Sequence, residues 1–277
     1  MSTMQAAESL ALLAALQQVL REQGPLALAV SGGVDSMTLA VVACALEPRS
    51  EVFHAVSAAV PAAATARVRD YAARQHWNLH LLDAGEFADP AYRANPLERC
   101  YFCKHNLYRS LRRHTGLPLA AGTNTDDLQD FRPGLRAAAE EGVVHPLVTA
   151  CIDKAGVRAI AAQLGLRELQ DLPASPCLAS RVSTGIAIDP ALLPLLDQAE
   201  QALRRQLGLL ASSADLRCRV RSDGLAVELP LESPLQQHAA LIATVREVLA
   251  GSRFAALGEH IVIEPYRRGS AFIRVAT

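Results

Sequence analysis

Five short apolar runs punctuate the first two thirds of the chain, at 26–30, 52–56, 79–82, 117–121 and 143–148. Between them apolar residues fall at helical spacing, near 36–46, 64–76 and 101–114, and again over 153–164. A strand that is apolar throughout has no face to give to water, so strands of this kind separated by helices predict βαβ units and a parallel sheet covered on both sides. The expected architecture is therefore α/β, a doubly wound, Rossmann-like parallel sheet. After Pro190 the pattern changes. A helix near 190–207 precedes alternating strands near 216–221 and 224–229, a helix near 234–250, and strands near 260–264 and 270–275. That is a small α+β unit. The segment DLPASPCLASRVSTG, too rich in Pro, Ser and Gly for a regular element, joins the two. The expected boundaries are 1–175, a joining segment at 176–188, and 189–277, with no internal repeat and no low-complexity tail.

A length of 277 residues at 51% hydrophobic content can bury a large core. No segment approaches the roughly 20 apolar residues that span a bilayer. The opening MSTMQAAESLALLAALQQVLREQG is apolar at helical spacing but lacks a basic start, so it predicts an amphipathic helix, not a signal peptide. A cytoplasmic location is the expectation. In that reducing setting a close pair among the six cysteines points to metal binding or catalysis sooner than to a disulfide framework. A net charge of −1 and a pI near 6.7 give no general attraction to nucleic acid or anionic lipid. Lysine occurs only at Lys104 and Lys154, so almost every positive charge is an arginine.

The stretch LALAVSGGVDSMTLA sets Ser31, Gly32, Gly33, Asp35 and Ser36 between the first strand and the first helix after it. Glycines allow close backbone approach, and the unpaired amides of a helix start bind phosphate. The same residues also suit a plain tight turn capped by Asp35 or Ser36. Downstream, NPLERCYFCK places Cys100 and Cys103 three apart. The pair by itself fits a structural zinc knuckle completed by His105, His145 or Cys151, a redox disulfide, an iron–sulfur ligand pair, or a helix turn with no chemical role. Cys44, Cys151 and Cys218 are expected to be small core residues. Asn124, Asp126 and Asp127 follow the fourth strand, at the edge where open parallel sheets bind ligands; a capped turn would explain them equally. In RCRVRS, Arg217, Arg219 and Arg221 share one strand face, either solvated or arranged as an anion clamp.

SGGVDS resembles the pyrophosphate loop of the ATP pyrophosphatase superfamily, with no Walker lysine. In order, SGGVDS, NPLERCYFCK, AGTNTDDLQDFRPGLRAAAE with Arg132 and Gly134, HPLVTACIDKAGVRAIAAQLGL and SPCLASRVSTG are similar to the LarE-type sulfur transferases of nickel-pincer cofactor synthesis. The match is specific over about 24–188 and looser through RCRVRSDGLAVELP and EPYRRGS. This resemblance implies an adenine nucleotide alpha hydrolase-like fold and an AMP-forming enzyme. It would adenylate a carboxylate of pyridinium-3,5-biscarboxylate mononucleotide and let sulfur displace AMP, leaving a thiocarboxylate. Implied for ATP are Ser31, Gly32, Gly33, Asp35, Ser36, Asn124 and Asp127, with Mg2+ near Asp35. Implied for substrate are Ser180, Arg181, Arg219 and Arg221. Cys177 and Asp35 are implied as catalytic residues, Cys177 as either a sacrificed sulfur donor or, with Cys100 and Cys103, one of three ligands to a [4Fe-4S] cluster. The presence of the CxxC pair favours the cluster-bearing branch. A homo-oligomer such as a hexamer is implied, without membrane or nucleic-acid partners. The chain departs from the family in SAAVPAAATARVR after the second strand, and in Val182, Ser183, Thr184 and Gly185 where many relatives carry Pro-Tyr-Gly. An iron–sulfur tRNA thiolase or a noncatalytic adenine-nucleotide sensor on the same sheet are the alternatives.

Overall fold

In a computed structural model, which describes residues 3–173, 176–209, 216–229 and 238–267, the first apolar run becomes strand β1 (Ala27–Ala29), buried throughout. It is flanked by β2 (Glu51–Ala55) and, later in the chain, by β4 (Leu119–Ala121), with β3 (Asn78–Leu82) outside β2. The order is β3-β2-β1-β4, and every neighbouring pair is parallel. The helices in chain order are α1 (Thr3–Gln23), α2 (Val34–Leu46), α3 (Ala62–Gln75), α4 (Pro90–Arg93), α5 (Arg99–His114), α6 (Pro133–Glu140), α7 (Pro146–Thr149), α8 (Lys154–Gln163) and α9 (Arg167–Gln170).

The described chain divides into two compact units. The first comprises 1–57, 62–86 and 100–172 and carries the parallel sheet. Successive strand side chains point to opposite faces, and both faces are covered. Leu28, Val30, Val52 and Ala120 join Leu16, Leu20, Met37, Val157 and Ile160 in one core. Ala27, Ala29, Phe53, Leu119 and Ala121 join Tyr108, Leu111 and Ala138 in the other. This is the doubly wound α/β arrangement expected from the continuous apolar runs.

The fifth strand expected over 143–148 does not form. Only Val144 pairs, as a parallel bridge to Ala120, with its amide donating to the Leu119 carbonyl at 2.8 Å. Pro146 then opens α7, because proline has no donor for a ladder and its fixed φ suits a first helical turn.

The second unit comprises 58–61, 87–99 and 173–277. Its regular elements include α4, α10 (Leu193–Gln206), β5 (Arg217–Arg221), β6 (Gly224–Leu229), α11 (His238–Leu249) and β7 (Ile261–Pro265). The sheet order is β5-β6-β7, antiparallel between β5 and β6 and parallel between β6 and β7. The strand expected near 270–275 lies outside the described residues. Among the described residues no helix is long and apolar enough to cross a membrane.

Candidate functional site

In the first unit the chain leaves β1 through Ser31, Gly32 and Gly33 and enters α2 at Val34. Two serines close the loop on itself. Ser36 Oγ donates to the Gly33 carbonyl at 3.2 Å and accepts from the Ser31 amide at 3.1 Å. With that proton committed, Ser31 Oγ is the donor in its 3.1 Å contact with Ser36 Oγ. Ser36 is thus a buried strap of the loop. Gly32 has φ +81°, and a Cβ there would lie 2.9 Å from the Ala64 carbonyl oxygen, so both backbone shape and space demand glycine. Gly33, the N-cap of α2, makes no side-chain capping bond. The first amides of the helix have no acceptor within the helix and are oriented to bind an anion.

The segment after β4 closes this corner. Gly122 passes so near α2 that a Cβ would fall 2.6 Å from the Ser36 amide nitrogen. Asn124 follows, 1% exposed. Its Oδ1 accepts from the amides of Asp126 and Asp127 at 3.0 and 3.3 Å, and its Nδ2 donates to Asp35 Oδ1 at 3.2 Å. Asn124 therefore builds the turn and aims Asp35. Asp35 Oδ2 in turn accepts from Lys154 Nζ at 2.5 Å. Lys154 begins α8, whose N-cap Asp153 accepts from the Gly156 amide at 2.7 Å. Asp126 and Asp127 are also committed, Asp126 Oδ2 to the Lys154 amide at 3.2 Å and Asp127 Oδ1 to Arg132 at 2.7 Å. Ser31, Gly32, Gly33, Asp35, Ser36, Asn124 and Asp127 thus share one end of the parallel sheet, beyond the carboxyl ends of β1 and β4. Sequence reasoning missed Lys154 and Gly122. Their signals were present: one of only two lysines, and a glycine directly after a buried strand.

None of the six cysteines is in a disulfide. Cys100 and Cys103 lie one turn apart on α5, which puts both thiols on one helix face, and both are half-buried. Gly134 of α6 packs onto that turn, with a Cβ there reaching 3.4 Å from the Cys100 carbonyl oxygen. Two thiols on one turn suit a metal or cluster edge, yet among the described residues no three His, Cys, Asp or Glu side chains gather as a metal-holding group. His105 instead sits 3.7 Å from Glu141, and burial holds the His145 imidazole below its usual range. Burial pushes the Cys44 thiol up to about 12 and Cys218 well above the ordinary thiol value, as core residues should be. Cys151 corrects the third of these expectations. It is exposed, with φ +55° after α7, a left-handed position that ends the short helix on the surface.

In the second unit Cys177 is exposed just before the 3-10 turn Leu178–Arg181. The turn is tied on two sides, by the Leu178 amide to the Ala59 carbonyl at 2.8 Å and by the Arg181 guanidinium to the Pro176 and Cys177 carbonyls at 2.8 and 3.3 Å. Arg181 also forms a two-pronged pair with Glu200 of α10, 2.9 Å at each prong, both side chains 4% exposed. Arg219 pairs in the same manner with Glu228 at 2.7 and 3.0 Å and donates to the Ser180 carbonyl at 2.6 Å. Arg221 joins Glu264 at a partly exposed position. The substrate arginines implied by sequence are therefore embedded in ion pairs of this unit, and Ser180 is half-buried beside them. Buried Asn95 is a further residue that sequence reasoning missed. With φ +55°, it gives its amide to the carbonyls of Val182, Ser183 and Ile186 at 3.2, 2.9 and 2.9 Å and so shapes the segment after Arg181.

No family model matches the chain. It is 35% identical over 266 residues to the uncharacterized protein slr1717 of Synechocystis, an alignment that spans 92% of this chain and 94% of that protein. Over 114 residues it is 32% identical to the uncharacterized protein MJ0830 of Methanocaldococcus jannaschii, covering 40% of this chain and 44% of that one.

Proposed function

The chain belongs to the family of the Synechocystis protein slr1717, and we propose that it is an ATP-dependent, AMP-forming sulfur transferase of the LarE type. The substrate is a pyridinium mononucleotide with two ring carboxylates, and the product is a thiocarboxylate of the kind the nickel-pincer cofactor requires. The observation that carries this reading is the corner of SGGVDS, Asn124, Asp35 and Lys154. Glycine backbone and helix-start amides there are suited to an anion, and one ammonium lies on the carboxylate beside them.

In this reading the loop amides hold the triphosphate. Lys154 exchanges Asp35 for a phosphate oxygen when the nucleotide arrives, and the freed carboxylate of Asp35 would be the residue to hold a magnesium ion, which would offset phosphate charge. A substrate carboxylate oxygen attacks the α-phosphorus, pyrophosphate departs, and sulfur later displaces AMP from the acyl carbon. Arg221, the more exposed of the β5 arginines with a carboxylate partner, is the one best placed to exchange that partner for a substrate anion. Arg181 and Ser180 hold the Cys177 turn. By the resemblance, Cys100, Cys103 and Cys177 would be the three thiolate ligands of a [4Fe-4S] cluster, which would supply the transferable sulfur. A cytoplasmic homo-oligomer completes the proposal.

The test is anaerobic ATP–pyrophosphate exchange with the pyridinium mononucleotide, alongside iron and sulfide analysis of wild type and Cys177→Ala. Exchange that depends on the mononucleotide is expected, with roughly four irons per chain and loss of the chromophore in the variant. Colourless, zinc-containing protein would remove the cluster. Dehydroalanine at Cys177 after one turnover would instead make that residue the sulfur donor. A salt-sensitive tRNA gel shift would point to the thiolase, and silence with every pyridine mononucleotide to the nucleotide sensor.

A further inference from the structure

Arg67 stands in the segment SAAVPAAATARVR, where this chain departs from the family pattern, and no motif drew notice to it. It is half-buried on α3 and its Nη1 donates to the Gly32 carbonyl at 2.7 Å. Among the described residues it enters no ion pair. Glu168, the carboxylate that acts on it most strongly, is itself held by Arg74 at 2.8 Å. A half-buried guanidinium is thus directed at one backbone oxygen of the loop, and among the described residues no carboxylate lies within ion-pair distance of it. The rest of the α3 start is fixed around it. Ala64 abuts Gly32, and Thr65 Oγ1 lies 2.9 Å from His54 Nε2, whose Nδ1 donates to the Val30 carbonyl at 2.7 Å.

The consequence follows from peptide geometry. In a trans peptide the C=O and the next N–H point in opposite directions. Holding the Gly32 carbonyl on the α3 side turns the Gly33 amide to the other side, where it has only a 3.4 Å contact with Ser31 Oγ. A charged donor on the carbonyl also polarises the peptide and strengthens that amide as a donor. We propose that Arg67 is the positioning residue of the phosphate loop. It fixes the Gly32–Gly33 peptide with its N–H toward the terminal phosphates of bound nucleotide, and so sets the affinity for the pyrophosphate moiety. This rests on the nucleotide reading of the loop given above.

Calorimetric titration of the full chain with Mg2+ and ATP, AMP or inorganic pyrophosphate tests it in wild type, Arg67→Gln and Arg67→Lys. Loss of one charge-assisted hydrogen bond predicts that Arg67→Gln weakens ATP and pyrophosphate about tenfold, while AMP, which lacks the terminal phosphates, binds within about twofold of wild type. Arg67→Lys, still able to donate from a charged group, is expected to recover most of the loss. Unchanged ATP and pyrophosphate affinity in Arg67→Gln, or equal loss of AMP, overturns the positioning role. Should Arg67→Gln fail to fold, Arg67→Lys decides: pyrophosphate must bind more weakly than to wild type and AMP equally well, and any other pattern overturns the role. Wild-type protein that binds neither ATP nor pyrophosphate removes the nucleotide reading, and the role of Arg67 with it. Wild-type binding with an insensitive variant removes the role alone.

Discussion

Arg181, Arg219 and Arg221 each reach a glutamate, and the burial of the pair decides what that glutamate does. Arg181–Glu200 and Arg219–Glu228 are almost wholly enclosed, whereas Arg221–Glu264 is about one-third exposed. Removing one charge of an enclosed pair leaves the other desolvated and unpaired. Glu200→Gln is therefore expected to cost about 3 kcal/mol in urea unfolding, and Glu264→Gln less than about 1 kcal/mol. Glu200 also accepts from the Cys218 amide at 3.0 Å, a bond that the Gln oxygen can keep, so the cost falls on the pair with Arg181. None of this was legible in RCRVRS. The alternation placed three arginines on one face, but the carboxylate for Arg219 comes from β6, where Glu228 stands in register with Arg217 and diagonal to Arg219. Lys154 was hidden for the same reason, being 119 residues from Asp35 in sequence. Since its pair with Asp35 is partly exposed, Lys154→Met should leave thermal stability nearly unchanged. It should weaken ATP about tenfold or more in the same titration, and wild-type ATP affinity in that variant would take Lys154 out of the phosphate site.

Elements formed where a local pattern and a tertiary partner agree. The continuous runs became β1 to β4 because each had a neighbour in register, with apolar cover on both faces for the inner strands and partial cover for the edge strand β3, where Leu81 is exposed. The run at 143–148 has the same composition, yet Pro146 interrupts it, and the result is one bridge and a helical turn. The strand-to-helix loop was legible because its glycines and serines act within six residues of one another. The second wall of that corner was not, because it depends on how closely β4's exit passes α2. Gly122 measures that approach. Gly122→Ala would put a methyl against the Ser36 backbone, which cannot yield as a flexible side chain can. The expected cost is about 2 kcal/mol in chemical denaturation, with weaker ATP binding because the loop must shift. An alanine variant as stable as wild type would mean that the two segments can separate without penalty.

For the molecule as a whole, charge is nearly balanced at −1, so the pH dependence of stability turns on individual buried groups. His54 is 1% exposed at the carboxyl end of β2. A carbonyl can only accept, so Nδ1 carries the proton that meets Val30, and Nε2 is left to accept from Thr65. Protonating Nε2 would remove that acceptor and bury a charge close to Arg69, and burial together with Arg69 holds the imidazole below its ordinary value. The same direction applies to His145, where burial dominates and Lys104 adds to it. For a base with a lowered folded-state pKa the unfolded chain binds more protons, so stability rises with pH. It is fully present above the unfolded value of about 6.5 and is lost as pH falls from there toward the lower folded-state value. Urea midpoints measured from pH 7.5 down to about 5, above the range where most carboxylates titrate, should therefore decline. His54→Gln, which can donate to Val30 and accept from Thr65 without titrating, should show a shallower decline and a lower midpoint at pH 7.5. A decline of equal slope in both proteins would assign the acid sensitivity to His145 and other groups and leave His54 as packing alone.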